Sequence, residues 1–124
     1  PASMVKRLVA HLENSDEFGG KFMLPTVARN DPAYNPERMW AGPIWANINY
    51  FFVEALQKTG EDELASDLRK KTLNIIMQQP GMYEYYNAET GLPPATAGNM
   101  FGWTAAVFIE LALQETAASG STNT

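Results

Sequence analysis

Glu84 lies in the stretch GMYEYYNAETG, residues 81–91, among Tyr83, Tyr85 and Tyr86 and between Pro80-Gly81 and Gly91. A carboxylate walled by aromatic rings loses hydration, and phenol hydroxyls can fix its orientation. Hydrolysis of a glycosidic bond needs such a group, either to activate water or to attack the anomeric carbon. The plainer reading is a loop glutamate paired with a nearby base. A second stretch, MWAGPIWANINYFF at 39–52, sets Trp40 and Trp45 around Gly42-Pro43, with Asn47 and Asn49 just beyond. A core does not need the amides, and a surface does not need the tryptophans. Indole faces stack on the C–H face of a pyranose, and Asn47 or Asn49 could reach its hydroxyls. Trp103, in NMFGWTAAVF at 99–108, heads a further apolar run, where packing at a helix entry is the plainer reading.

Other chemistries are closed off by composition. The chain of 124 residues has no Cys, which removes disulfides, thiolate catalysis and zinc-thiolate sites. With His11 as the single histidine, neither a two-His metal site nor a Ser-His-Asp triad can be built from this chain alone. No metal and no cofactor are expected. A net charge of -5 without a basic stripe argues against nucleic acid. Arg69-Lys70-Lys71 follows Glu61, Asp62, Glu63 and Asp67 and reads as a solvated helix face. No apolar run is long enough to span a membrane, and no signal pattern opens the chain. The compartment stays open, with the cytoplasm favoured.

The elements that must position Glu84 and the tryptophans are helices. A 3.6-residue stripe of Met4, Val5, Leu8, Val9 and Leu12 gives a first helix over 3–13, with Ser3 as N-cap and a partly buried structural His11 at its edge. No period survives from Ser15 to Trp40, a long loop for a compact domain. Within it, FMLPTVA at 22–28 suits a short extended segment and RNDPAYNPER suits consecutive turns. The second helix is expected to start at Gly42-Pro43 and end near Thr59, before Gly60. It is apolar nearly all round, which implies burial on most faces. The third, over 61–79, is one-faced, with Leu64, Ala65, Leu68, Thr72, Ile75 and Ile76 inward and an acidic first turn. The fourth, over 103–116, is again nearly all apolar, and AASGSTNT at 117–124 reads as a disordered tail.

Buried helices alternating with one-faced helices, and long loops before the buried ones, describe an all-α, two-layer toroid. Four helices cannot close such a ring, and two all-apolar helices leave surface uncovered. Residues 1–116 are therefore expected to be the carboxyl-terminal segment of a larger barrel, and the absence of Met at Pro1 suggests a chain cut from something longer.

MWAGPIWANINYFFVEAL, GMYEYYNAETG and FGWTAAVFIELAL, in that order and preceded by PTVARNDPAYNPERMW, resemble the carboxyl-terminal part of glycoside hydrolase family 63 and its bacterial relatives. Those relatives include the mannosylglycerate and glucosylglycerate hydrolases and, more distantly, the trehalases. The resemblance covers about residues 22–114. It implies an (α/α)6 barrel working by inversion with two carboxylates, an Asp acid from an earlier part of the barrel and a Glu base near the carboxyl end. The base falls on Glu84. The aromatic sugar site falls on Trp40 and Trp45 and, less directly, Gly42; Asn49, Tyr85 and Trp103 complete the candidate sugar-binding set. Ala41 stands where Arg is common, Met39 where Tyr is common, and Asn87-Ala88 where Asp-Pro is common, the last altering only a turn. No segment matches the acid-bearing motif, and Asp31 belongs to the NDP turn.

The leading expectation is a fragment of an inverting α-glycosidase acting on a small glucoside or mannoside, or on a terminal glucose. Its partners would be a carbohydrate substrate and either the rest of the barrel or further copies of itself, through exposed apolar helices. The alternative is a non-catalytic helical module that binds sugar or a partner. A sugar epimerase on the same barrel is disfavoured, because its chemistry resembles His-based proton abstraction and His11 lies at the far amino end.

Overall fold

The computed structural model describes residues 1–121, which form four helices: α1 (Ala2–Glu13), α2 (Ala46–Lys58), α3 (Asp62–Met77) and α4 (Gly102–Gly120). Among the described residues there is no strand, only one isolated antiparallel bridge between Ile44 and Tyr86. The fold is all-helical, as its periodicity implied.

α2 and α4 run parallel. Their N-cap residues Trp45 and Phe101 touch edge to face, and further along Gln114 of α4 donates to Glu54 of α2. α3 runs against both. Its later residues Ile75 and Ile76 share a core cluster with Ile44 and Ala46, its middle residue Thr72 meets Asn49, and Arg69 reaches Glu115 near the end of α4. A second cluster gathers Val53 and Leu56 of α2, Ala65, Leu68 and Leu73 of α3, Leu111 of α4, and Leu12, Met23 and Leu24. The stripe read along α3 is thus the face it buries. Arg69 departs from the solvated face expected for it: it is 5% exposed, and its Nε donates to the Glu115 carboxylate at 2.9 Å. Lys70 stays exposed, and Lys71 pairs with Asp67 one turn back.

Several boundaries differ from expectation. α1 begins after Pro1, with no side-chain cap from Ser3. Only Leu12 of its stripe is buried, while Met4 and Leu8 are exposed. His11 is exposed rather than partly buried, and its Nδ1 lies 2.5 Å from Glu17. α2 begins at Ala46 and not at Pro43, because Ile44 is spent on the bridge to Tyr86 and Trp45 is extended. α4 runs past Thr116 through Ala117–Gly120, where a disordered tail was expected. Ala117 and Ala118 favour helix, and Thr116 and Ser119 bond back to the carbonyls of Ala112 and Glu115. Residues 122–124 of that tail lie outside the described residues.

The long segment between α1 and α2 has no regular structure, and FMLPTVA is not a strand. Arg29 holds it. Its guanidinium donates to the carbonyls of Gly19, Phe22, Glu17 and Ala88 and pairs with Glu89. One planar fork therefore satisfies backbone acceptors that helix or sheet would otherwise have used.

Outward faces of the parallel helices are apolar and open. Phe51 and Phe52 of α2 and Trp103, Ile109 and Leu113 of α4 are exposed, as is an apolar groove between α1 and α2 lined by Leu8, Phe18 and Phe52. The expectation that α2 and α4 are buried on most faces fails within this chain for want of a covering layer.

Candidate active site

The Ile44–Tyr86 bridge joins the two informative stretches. Ile44 N–H donates to Tyr86 O at 2.8 Å, and Tyr86 N–H donates to Ile44 O at 2.9 Å, with both side chains buried. On its other side the glutamate loop is tied to the approach to α4. Glu84 N–H donates to Gly98 O at 2.8 Å, Phe101 N–H to Met82 O at 2.8 Å, and Thr104 Oγ1 to Tyr83 O at 2.7 Å. All three quoted motifs thus meet at the amino ends of α2 and α4.

Gly42 lets them meet. A Cβ there would lie 2.5 Å from the Asn35 carbonyl oxygen and 2.9 Å from the Tyr34 ring, so only glycine admits that turn of backbone. Its role within this chain is steric, and it is buried. The turn at Met39, whose φ is 23°, brings Trp40 flat onto Trp45, with ring centroids 3.7 Å apart and planes 7° apart. Trp45 in turn stacks with Tyr85 at 5.2 Å, meets the edge of Phe101, and donates its Nε1–H to Met39 O. Trp45 is 3% exposed and Trp40 is 52% exposed. Within this chain Trp40 carries the open indole and Trp45 the support beneath it.

Glu84 is half-buried, and among the described residues its carboxylate makes no hydrogen bond or ion pair; Oε2 lies near Gly98. The phenols do not orient it. Tyr85 Oη pairs with Thr96 Oγ1 at 2.6 Å, and Tyr86 Oη accepts the Tyr83 amide at 3.2 Å. Burial holds the Tyr86 phenol above the usual tyrosine range, against the opposing hydrogen bond from the Tyr83 amide. Tyr86 is therefore a neutral phenol at physiological pH and cannot serve as a base. Downstream, Asn87 replaces the expected turn chemistry with its own. Its Oδ1 accepts the amides of Glu89 and Thr90, and its Nδ2 donates to Glu37. Burial, then the hydrogen bond from its hydroxyl to Glu89, push the Tyr34 phenol well up, so this tie also stays protonated.

Not every candidate arrives. Asn49 is a core residue: its Nδ2 donates to Thr72 Oγ1 at 2.9 Å and to Met23 O, which binds α2 to α3 and to the loop. It is 1% exposed, and its Oδ1 has no hydrogen-bond partner among the described residues. Asn47 is wholly buried, with neither amide atom partnered among the described residues. Trp103 is half exposed on the first turn of α4, neither in the core nor in ring contact with the stack. Asp31 Oδ1 accepts the Ala33 amide, the turn role its position implied. Phe101 and Thr96, which touch Trp45 and Tyr85, and Arg29, which holds the loop before α2 to Ala88, were missed. Phe101 had a sequence signal, an aromatic two residues before Trp103, whereas the other two are set by chain crossings no local pattern encodes. Beside the stack, Tyr85, Glu37, Arg38 and Thr96 line a cleft of about 560 Å³. Among the described residues no group of three or more acidic or imidazole side chains could hold a metal, and no helix is long and apolar enough to cross a membrane.

The chain is thus an all-helical segment in which an open aromatic stack and a carboxylate unpartnered among the described residues lie on neighbouring, bridged stretches of chain. Residues 1–104 match the model of the mannosylglycerate hydrolase MGH1-like glycoside hydrolase domain, and the chain belongs to that family. It is 33% identical over 97 residues to a mannosylglycerate hydrolase of Thermus thermophilus, covering 77% of this chain and 23% of that protein. It is 30% identical over 106 residues to mannosylglycerate hydrolase MGH1 of Selaginella moellendorffii, covering 86% and 20%. Two crystal structures of a family 63 mannosylglycerate hydrolase, also from Thermus thermophilus, share the fold. The glucose complex has a TM-score of 0.73 at 29% identity, covering 88% of this chain and 25% of that one. The complex with Tris and D-glycerate has 0.76 at 30% identity, covering 86% and 25%. The chain thus spans about a quarter of the length of these relatives and is a partial (α/α) barrel.

Proposed function

We propose that this chain is the base-bearing quarter of an inverting glycosidase whose substrate is a small glycoside of glycerate, with mannose or glucose as the sugar. The observation that supports the reading is the Ile44–Tyr86 bridge, which ties the segment carrying Trp45 to the segment carrying Glu84, whose carboxylate has no hydrogen-bond or ion-pair partner among the described residues. Relatives named for mannosylglycerate, and neighbours holding glucose and D-glycerate, support the substrate class.

In this reading a pyranose lies against the outer face of Trp40, and a water stands between its anomeric carbon and Glu84. Glu84 takes a proton from that water as its oxygen attacks. The bond to glycerate breaks, its electrons leave on the glycerate oxygen, and that oxygen takes a proton from an acid outside this chain. The attack comes from the face opposite the leaving group, so the anomeric configuration inverts. The exposed faces of α2 and α4 are covered by the rest of the barrel, which also brings the acid.

These 124 residues alone are expected to release no sugar from mannosylglycerate or glucosylglycerate, whereas the complete enzyme containing them releases it. Loss of one of two coupled groups costs several orders of magnitude. Release at an ordinary enzymatic rate by the isolated chain would overturn the division of labour.

A further inference from the structure

Arg38 differs from the arginines that hold the fold together. Arg29 and Arg69 are spent on carbonyls and carboxylates of the chain itself. The Arg38 side chain makes no hydrogen bond or ion pair among the described residues, although its backbone is fixed on both sides. Its N–H donates to Asn35 O at 3.3 Å, and its carbonyl accepts the Ala41 amide at 2.7 Å. That closes a turn with Met39 and Trp40 at the corner. The same turn is tied to the aromatic stack twice, by Trp40 lying flat on Trp45 and by the Trp45 Nε1–H donating to Met39 O at 2.9 Å. Arg38 lines the cleft of about 560 Å³ together with Asn35, Thr96 and Tyr85, whose ring stacks on Trp45. It is the one cation among the described residues of that cleft. The one carboxylate there, Glu37, already accepts Asn87 Nδ2 at 3.1 Å, and the Tyr85 and Thr96 hydroxyls pair with each other.

The two ends of a glycoside of glycerate ask for different surroundings. A pyranose is neutral and needs an indole face, whereas the glycerate carboxylate is an anion at neutral pH and needs a cation. A chain of net charge -5 repels that anion unless a local positive group offsets the field. The stack meets the first need, a partner-free guanidinium meets the second, and one short turn carries Trp40 and Arg38 together. We propose that Arg38 determines specificity for the charged end of the substrate: the cleft beside the stack takes the aglycone, and the guanidinium pairs with its carboxylate. The planar fork of Arg38 matches a carboxylate with two parallel N–H donors, a geometry that a neutral aglycone cannot return. A site organised around such a pair rejects the analogue that lacks the charge more strongly than an apolar pocket rejects a change of size. The assignment rests on the glycosidase reading above and adds to it the residue that selects an anionic aglycone.

The test uses the complete enzyme and two substrates, mannosylglycerate and the matching mannoside of glycerol, in which a neutral hydroxymethyl group replaces the carboxylate. The unaltered enzyme should prefer the charged substrate in kcat/KM. In Arg38→Gln that preference should fall about tenfold, the loss falling on KM for mannosylglycerate rather than on kcat. Titration with D-glycerate gives a readout without turnover, and its binding should weaken about tenfold in the same variant. An unaltered enzyme that does not distinguish the two substrates, an Arg38→Gln enzyme that keeps the preference, or an equal loss on both substrates would overturn the assignment of Arg38 and leave the glycosidase reading standing. An unaltered enzyme that hydrolyses neither mannoside would overturn both.

Discussion

Trp40 and Trp45 are the same residue five positions apart, and their surroundings give them different work. Trp45 is enclosed by Trp40, Tyr85 and Phe101, with its indole N–H satisfied by Met39 O. Trp40 has a free face. In the complete enzyme, Trp40→Ala should weaken sugar binding by about 1 to 3 kcal/mol and leave the melting temperature nearly unchanged. Trp45→Ala should instead cost about 3 to 5 kcal/mol of stability, the usual range for emptying a buried aromatic site. Ligand titration and thermal unfolding of both variants check this, and equal effects of the two on stability would contradict it. The pair was legible in the sequence because tryptophans beside polar amides are rare in a plain core. What the amides do was not legible. Asn49 finds Thr72, distant in sequence, and a hydrogen bond between two helices leaves no local mark.

Among the elements, the four helices follow from period and composition, since a 3.6-residue stripe or an all-apolar run has few other ways to bury itself. Their starts were less legible. Pro43 suits a first helical turn, yet the backbone of Ile44 takes Tyr86 as partner and delays α2 to Ala46. Propensity lost to a tertiary hydrogen bond. The irregular segment before α2 was legible only as irregular, because its order comes from Arg29 gathering carbonyls from four places. Arg29→Gln should therefore destabilise the chain by about 3 kcal/mol while leaving helix content intact below the transition, as hydrogen bonds to a charged group are worth more than neutral ones. Denaturant melts followed by circular dichroism provide the measurement. A shift under about 0.5 kcal/mol, the range of ordinary surface changes, would mean the loop is held by something else.

At the scale of the whole molecule, the chain is a partial (α/α) barrel that spans about a quarter of the length of its relatives. Its partial nature was legible in two helices with too much apolar face for a bundle this small, and Phe51, Ile109 and Leu113 bear that out by standing open. The acid that the proposed mechanism requires was legible only as a missing motif. The central claim is that Glu84 is the base of an inverting pair, its carboxyl roughly 6.5 to 9.5 Å from an acid supplied elsewhere. Proton NMR of the complete enzyme acting on α-mannosylglycerate, followed from the first minutes, tests this most directly. The β-anomer of mannose should appear first and then mutarotate, and Glu84→Gln should abolish its release while sugar binding persists. First release of the α-anomer, or normal turnover by the Glu84→Gln enzyme, would contradict the assignment.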